Sequence, residues 1–105
     1  MFSHLVEGMW CSDPTIRMRS CDAVEKVTAE RPELLQPYKK RLLRDVATSE
    51  QQEVRWHFAQ MVSRVRLTTR ERDFCVEVLQ SYLEDKSRIV QVSAMQALAD
   101  FIILG

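Results

Sequence analysis

Glycine and proline are scarce in this 105-residue chain, at two and three positions. A small β-protein needs more turn residues than that, and two glycines could hardly build a phosphate or dinucleotide loop. No HExxH helix, EF-hand loop or GxSxG elbow occurs. Histidine is confined to His4 and His57, and solvent-facing or capping roles are the expectation for both. The three cysteines, Cys11, Cys21 and Cys75, are odd in number and show no CxxC spacing, so neither a disulfide framework nor a zinc site is indicated. They read as small buried hydrophobes, reduced in a cytoplasmic compartment. Long apolar runs are also missing. Phe101-Ile102-Ile103-Leu104 is far too short to span a bilayer. The start, Met1-Phe2-Ser3-His4, lacks a basic segment, and Glu7 interrupts the apolar run, so no signal peptide and no membrane association are expected. No catalytic residue, metal ligand or cofactor site follows from any motif, and a non-enzymatic protein is the expectation.

What is present is a globular, helix-favouring mixture of 46% hydrophobic and 29% charged residues, of a length that fits one domain, 1–105. Fifteen basic residues balance fifteen acidic ones, whereas a protein that coats nucleic acid normally has a basic excess. The balance is uneven: residues 1–31 carry four basic and five acidic side chains, 32–67 seven and four, and 68–105 four and six. Mixed charge of this kind is ordinary on solvated helix faces.

Breakers divide the chain into six helical segments. Phe2, Leu5, Val6, Met9 and Trp10 share one face of the first. Asp13 suits an N-cap and Pro14 the first helical position of the second, where its missing N–H costs nothing. Arg31-Pro32 stops that helix, because a residue before proline is pushed out of the α region. The third holds Leu34, Leu35, Tyr38, Leu42, Leu43 and Val46, with Pro37 as a kink or first turn. Ser49 with Gln52, and Thr68 with Glu71, fit capping boxes for the fourth and fifth helices. Glu50 and Glu53 read as acids near the helix start, favoured by the dipole. The fifth helix holds Phe74, Val78, Leu79, Tyr82 and Leu83.

The even-numbered helices repeat one another. With Ile16, Val54 and Val90 as position zero, core-type residues recur at +4, +7, +8 and +11. They are Ser20, Ala23, Val24 and Val27, then Phe58, Met61, Val62 and Val65, then Ala94, Ala97, Leu98 and Phe101. The start points lie 38 and 36 residues apart, and self-similarity at such a period marks a helical solenoid. One such repeat cannot bury its apolar face alone, so neighbours stack.

Asp13-Pro14-Thr15-Ile16-Arg17 resembles the opening of the second helix of a HEAT repeat, and Glu53-Val54-Arg55 matches the Val-Arg pair without the Asp-Pro. The third copy departs from the pattern, with Val90-Gln91 in place of the pair. The resemblance covers nearly the whole chain and implies an all-α fold: a short right-handed superhelix of three antiparallel helix pairs, 1–31, 32–67 and 68–105. It places second helices on the concave, partner-binding face. It assigns Arg17 and Arg55 to hydrogen bonds in the inter-helix turns, with partner contact as the other role open to them.

Position +2 points about 200° round the helix from position zero and should be polar. It reads Met18, Trp56 and Val92, which stacked repeats would align as an apolar ladder of the hot-spot type. Positions +3 and +6 would supply a polar rim: Arg19, His57 and Ser93, then Asp22, Gln60 and Gln96. The expected function is therefore a protein-binding scaffold, its partner surface comprising Met18, Arg19, Asp22, Trp56, His57, Gln60, Val92 and Gln96. The bland alternative is a ladder buried in the core. The second functional reading is nucleic-acid backbone binding through Lys39, Lys40, Arg41, Arg44, Arg64 and Arg66, although the resemblance puts the first three on the convex side. The apolar ends, Met1-Phe2 and Phe101-Ile102-Ile103-Leu104-Gly105, suggest a homodimer or end-on docking to another helical protein. Trp56→Ala separates ladder from core: a buried aromatic costs about 3–5 kcal/mol on truncation, an exposed one little, as read by chemical denaturation.

Overall fold

The computed structural model describes residues 1–104 and is all-helical over them; Gly105, the end of the apolar tail, lies outside the described residues. Helix α1 spans Phe2–Gly8 and α2 spans Pro14–Glu30. A composite segment follows, with a 3-10 stretch at Pro32–Tyr38, one α turn, α3, at Lys39–Arg41, and a π turn at Leu42–Val46. Helix α4 covers Gln52–Met61 and tightens into a 3-10 turn at Val62–Arg64. Helices α5, Thr69–Tyr82, and α6, Arg88–Leu104, complete the chain.

Local chemistry sets most of the boundaries. Asp13 caps α2, its carboxylate accepting from the amides of Thr15 at 2.8 Å and Ile16 at 3.3 Å, with Pro14 at the first helical position. Arg31 leaves helical geometry at φ −130°, as a residue before proline must. The Thr68–Glu71 capping box closes α5 with bonds of 3.1 and 2.8 Å. The Ser49–Gln52 box does not form. Gln51 is the cap residue of α4, and Ser49 Oγ instead accepts from the Gln51 amide at 3.2 Å. The side chain of Gln51 is engaged elsewhere, donating to Pro14 O at 2.9 Å.

The third segment departs from a simple α-helix for a physical reason. Pro37 has no amide proton, so an i→i−4 ladder cannot run through it, and the 3-10 geometry around it is the shorter-range alternative. The chain then overshoots into an i→i−5 bond, Ala47 N to Leu42 O at 3.0 Å. This turn leaves two adjacent pairs, Leu42-Leu43 and Val46-Ala47, all buried. Tyr82 from α5 donates its hydroxyl to Ala47 O at 2.8 Å, so the turn is tied to the next helix pair. Burial pushes the Tyr82 phenol upward in pKa.

Helix α4 packs against α2 on one side and α6 on the other. Helix α1 packs on α2, the 3-10 stretch on α2, the π turn on α4, and α5 on α6. The result is a row of second helices, α2–α4–α6, backed by a row of first segments. The molecule measures 33 × 30 × 22 Å, and its short dimension matches two helix diameters of about 10–12 Å each.

Burial divides each second helix into faces. Positions +4 and +8 turn toward the first segments and are buried or half-buried in all three copies. Positions 0, +7 and +11 are buried in α4 and just after its 3-10 turn (Val54, Met61, Val65) and in α6 (Val90, Ala97, Phe101). The same positions in α2 are not core: Ile16 is 46% exposed, Val27 38%, and Ala23 half-buried. Those positions face the preceding second helix, and among the described residues none lies on that side of α2. Position +5 is complementary. Cys21 and Ala59 are buried, whereas Met95 on α6 is 59% exposed.

Gly8 marks the tightest helix contact. A Cβ there would lie 2.8 Å from Ser20 Cβ and 2.0 Å from Ser20 Oγ, so α1 approaches α2 only because residue 8 has no side chain and residue 20 a small one. Gly8→Ala is expected to destabilise the protein by about 1–3 kcal/mol, the usual cost of overpacking, read as a lower midpoint in urea. Unchanged stability would show that α1 can withdraw without loss.

Candidate functional site

The exposed side of the second-helix row is built on a ladder of turn contacts. Arg17 donates to Cys11 O at 2.7 Å and Arg55 to Ser49 O at 2.9 Å, each reaching six residues back into the turn before its own helix. Gln91, which replaces the arginine in the third copy, donates to Asp85 O at 2.6 Å, again six residues back. Two arginines also reach forward. Arg17 Nε donates to Gln51 Oε1 at 2.9 Å, and Arg55 pairs with Asp85 at 2.7 Å. These bonds set the spacing of α2, α4 and α6 from the turn end. The Ser87 amide, and then Arg55, hold the Asp85 carboxyl below the usual carboxylate range.

Further along the row, a second set of ties joins α2 to α4. Arg64 donates to Glu25 O and Thr28 Oγ1 at 2.8 and 2.9 Å and pairs with the Glu25 carboxylate at 2.8 Å. His57 is 5% exposed, its Nδ1 2.7 Å from Glu53 O and its Nε2 3.3 Å from Asp22. Asp22 also accepts from Lys26, and that bond is the main cause of its depressed pKa.

Between α4 and α6 lies a groove of about 390 Å³. Gln60, Val92, Ser93 and Gln96 line it, and the Glu25–Arg64 pair and Asp100 border it. Three of the eight residues expected at a partner surface, Gln60, Val92 and Gln96, thus meet in one concavity. The other five are placed differently. Trp56 is half-buried against the core with its ring 5.0 Å from that of His57. His57 sits beneath the surface as a support, and Asp22 holds it there. Met18 is half-buried and Arg19 exposed on α2, outside the groove lining. Val92, at 55% exposure, is the most open member of the expected ladder. Ser93 was legible at position +3. The contributions of Glu25 and Asp100 depend on helix packing and had no local signal.

The basic residues of the middle third are largely occupied. Lys39 pairs with Glu71 at 2.8 Å. Arg41 pairs with Asp45 at 2.5 Å and lies 4.3 Å over the Trp10 ring. Arg44 approaches Asp45 at 3.5 Å. Arg64 is held by α2, while Lys40 and Arg66 are exposed.

Burial pushes the Cys21 and Cys75 thiols up to about 12, which leaves them protonated and poor as nucleophiles near neutrality. No group of three His, Cys, Asp or Glu side chains able to hold a metal ion occurs among the described residues, and among them no helix is long and apolar enough to cross a membrane. No protein-family model matches the chain, and no curated protein matches it.

A depressed carboxylate stabilises the fold above its unfolded pKa of about 4, and that contribution is lost as pH falls through the folded value. Asp85→Asn is therefore expected to cost about 1.5–3 kcal/mol near pH 7, as for a hydrogen bond to a charged group. Urea denaturation near pH 3 should show a smaller gap to wild type. An equal gap at both pH values would mean that the Asp85 charge contributes nothing.

Proposed function

We propose that this chain is a non-enzymatic protein-interaction module of HEAT-like α-solenoid type, working in the cytoplasm. Its partner-binding surface is the exposed side of its second helices. The observation that carries the reading is the α4–α6 groove, where Val92 offers an open apolar contact flanked by Gln60, Ser93 and Gln96. An apolar anchor within a polar rim is the usual anatomy of a protein interface. Three free cysteines suit a reducing compartment. The groove suits a partner that inserts one apolar side chain and hydrogen-bonds to the amides of Gln60 and Gln96. The basic middle third supports nucleic-acid binding less well, because Lys39, Arg41 and Arg64 are neutralised by acids of the same chain.

The test compares wild type with Val92→Arg, an exposed substitution expected to leave the fold intact, in affinity capture with and without nuclease at low and high salt. A polypeptide retained through nuclease and salt by wild type, and lost by the folded variant, is the expected result. Capture that vanishes with nuclease or modest salt would transfer the function to phosphate contacts, whose affinity falls steeply with salt.

A further inference from the structure

We propose that the segment bound in the α4–α6 groove is basic as well as apolar. It lays one apolar side chain on Val92 and the groove floor and sets a Lys or Arg against Asp100, a choice that rests on the reading of the groove as a partner surface. The neighbouring junction shows what such a place looks like when the chain fills it. At α2–α4, position +3 is His57, +7 is Met61 and +10 is Arg64. The first meets Asp22, the second is fully buried, and the third pairs with Glu25 at 2.8 Å. At α4–α6 the same three positions are Ser93, Ala97 and Asp100, and all three line the groove. An imidazole, a thioether chain and a guanidinium are thus replaced by a hydroxymethyl, a methyl and a short carboxylate. The α4 side of the floor is small as well, with Ala59 where α2 has Cys21. About 390 Å³ is left open, in the place that longer side chains occupy at α2–α4.

The same comparison gives the chemistry of the occupant. At α2–α4 the cation is at +10, and its acid is at +9 of the helix before it. At α4–α6 the residue at +10 is the acid Asp100, and +9 of α4 is Ser63. The charge has changed sign, and the junction holds no counterpart for it. Asp100 is half-buried. Among the described residues it accepts from the Gln96 amide at 3.1 Å, and none of the ion pairs includes it. A carboxylate has acceptor sites for more donors than one amide, and hydrogen bonds between ionised groups are the strong ones. The other two charges at the groove, Glu25 and Arg64, neutralise each other, and Arg64 also donates to Glu25 O and Thr28 Oγ1. The unbalanced charge of the groove is therefore negative and sits at its Asp100 end. Val92 lies eight positions earlier on α6, about 12 Å along the helix, and is 55% exposed. Apolar contact at that end supplies attraction, and the carboxylate at the other selects cationic over acidic segments.

The decisive experiment selects a random dodecapeptide display library on the full chain. It keeps the peptides whose binding is lost with Val92→Gln, which removes the apolar contact without adding charge. Fluorescence anisotropy then measures their affinities. These groove peptides are expected to carry a Lys or Arg together with an apolar residue. Asp100→Asn is nearly isosteric, and circular dichroism checks that it is folded. It should weaken the groove peptides about tenfold or more, the effect of losing a hydrogen bond between charged groups. Replacing the peptide's own Lys or Arg by Gln should weaken binding to wild type by the same factor and binding to Asp100→Asn hardly at all. That second measurement reads the contact on wild type as well. Groove peptides that lack a cation, or that bind Asp100→Asn as tightly as wild type, overturn the proposal and leave the groove standing as a partner surface. Groove peptides rich in Asp or Glu also overturn it, and would mean that Arg64 leaves Glu25 to bind them. If no peptide depends on Val92, the partner surface and its basic occupant fall together.

Discussion

Everything in this structure follows from the fact that no one helix pair can cover its own second helix. Each of α2, α4 and α6 is apolar over an arc too wide for a single neighbour: one part is turned to the first segments and the remainder to the second helices on either side. Among the described residues α4, in the middle, has a second helix on either side, and it holds Val54, Phe58 and Met61 fully buried, as is Val62 just after it. The core is therefore continuous along the row, and Phe58 meets Tyr82 edge to face across the gap between the second and third pairs, ring centroids 6.2 Å apart. Burial of this kind is roughly proportional to apolar area and has no directional preference. Something else must fix how far each helix slides along its neighbour.

The turns supply that constraint. At the position after zero, Arg17, Arg55 and Gln91 each reach a carbonyl six residues back, and the two arginines also reach into the next repeat's turn. A guanidinium presents several donors in a fixed fork, so one side chain can satisfy its own turn and register the next helix together. Arg55 adds a further contact over the Tyr82 ring at 5.3 Å, which couples this polar ladder to the buried aromatic pair. The glutamine in the third copy keeps the backward bond. It looked like a lapse in the repeat, yet it conserves the part of the interaction that closes a repeat's own turn.

Much of this was legible in the sequence, and the misses share a cause. Asp13-Pro14, Thr68 with Glu71, and Arg31-Pro32 act within a few residues, so local rules placed them correctly. The periodic apolar positions of α4 and α6 also hold as core. Ile16 and Val27 match the same pattern but are partly exposed, because burial at those positions depends on a neighbouring helix and not on the helix itself. Ser49 with Gln52 satisfied the spacing of a capping box, but Gln51 is held by Pro14 and Arg17 from the first repeat, and the helix starts where that tether allows. The 3-10 and π geometry of 32–46 follows from Pro37 only in part. The need to bury Leu42-Leu43 and Val46-Ala47 together is a property of the packed molecule. For the candidate site, the side-chain positions on α4 and α6 were readable from helical period. Which of them would share a concavity was not, since the Glu25–Arg64 tie joins residues 39 positions apart.

The distribution of charge then bears on what kind of surface remains. The middle third carries the chain's basic excess, and a count alone would suggest a phosphate-binding face. Folding uses several of those cations internally: Arg64 is bound to the end of α2, Lys39 to α5, and Arg41 to Asp45 and Trp10, while Lys40 and Arg66 stay exposed. To take up a phosphate, each of the bound cations would have to give up a bond that positions one part of the fold against another, and the affinity gained would be offset by that loss. The second-helix groove asks for no such exchange, because Val92, Gln60 and Gln96 do not support the core. On the proposed reading, the groove would recognise a partner by shape and apolar contact. The residues that reading calls on, Val92, Gln60 and Gln96, line the concavity on the exposed side of α4 and α6.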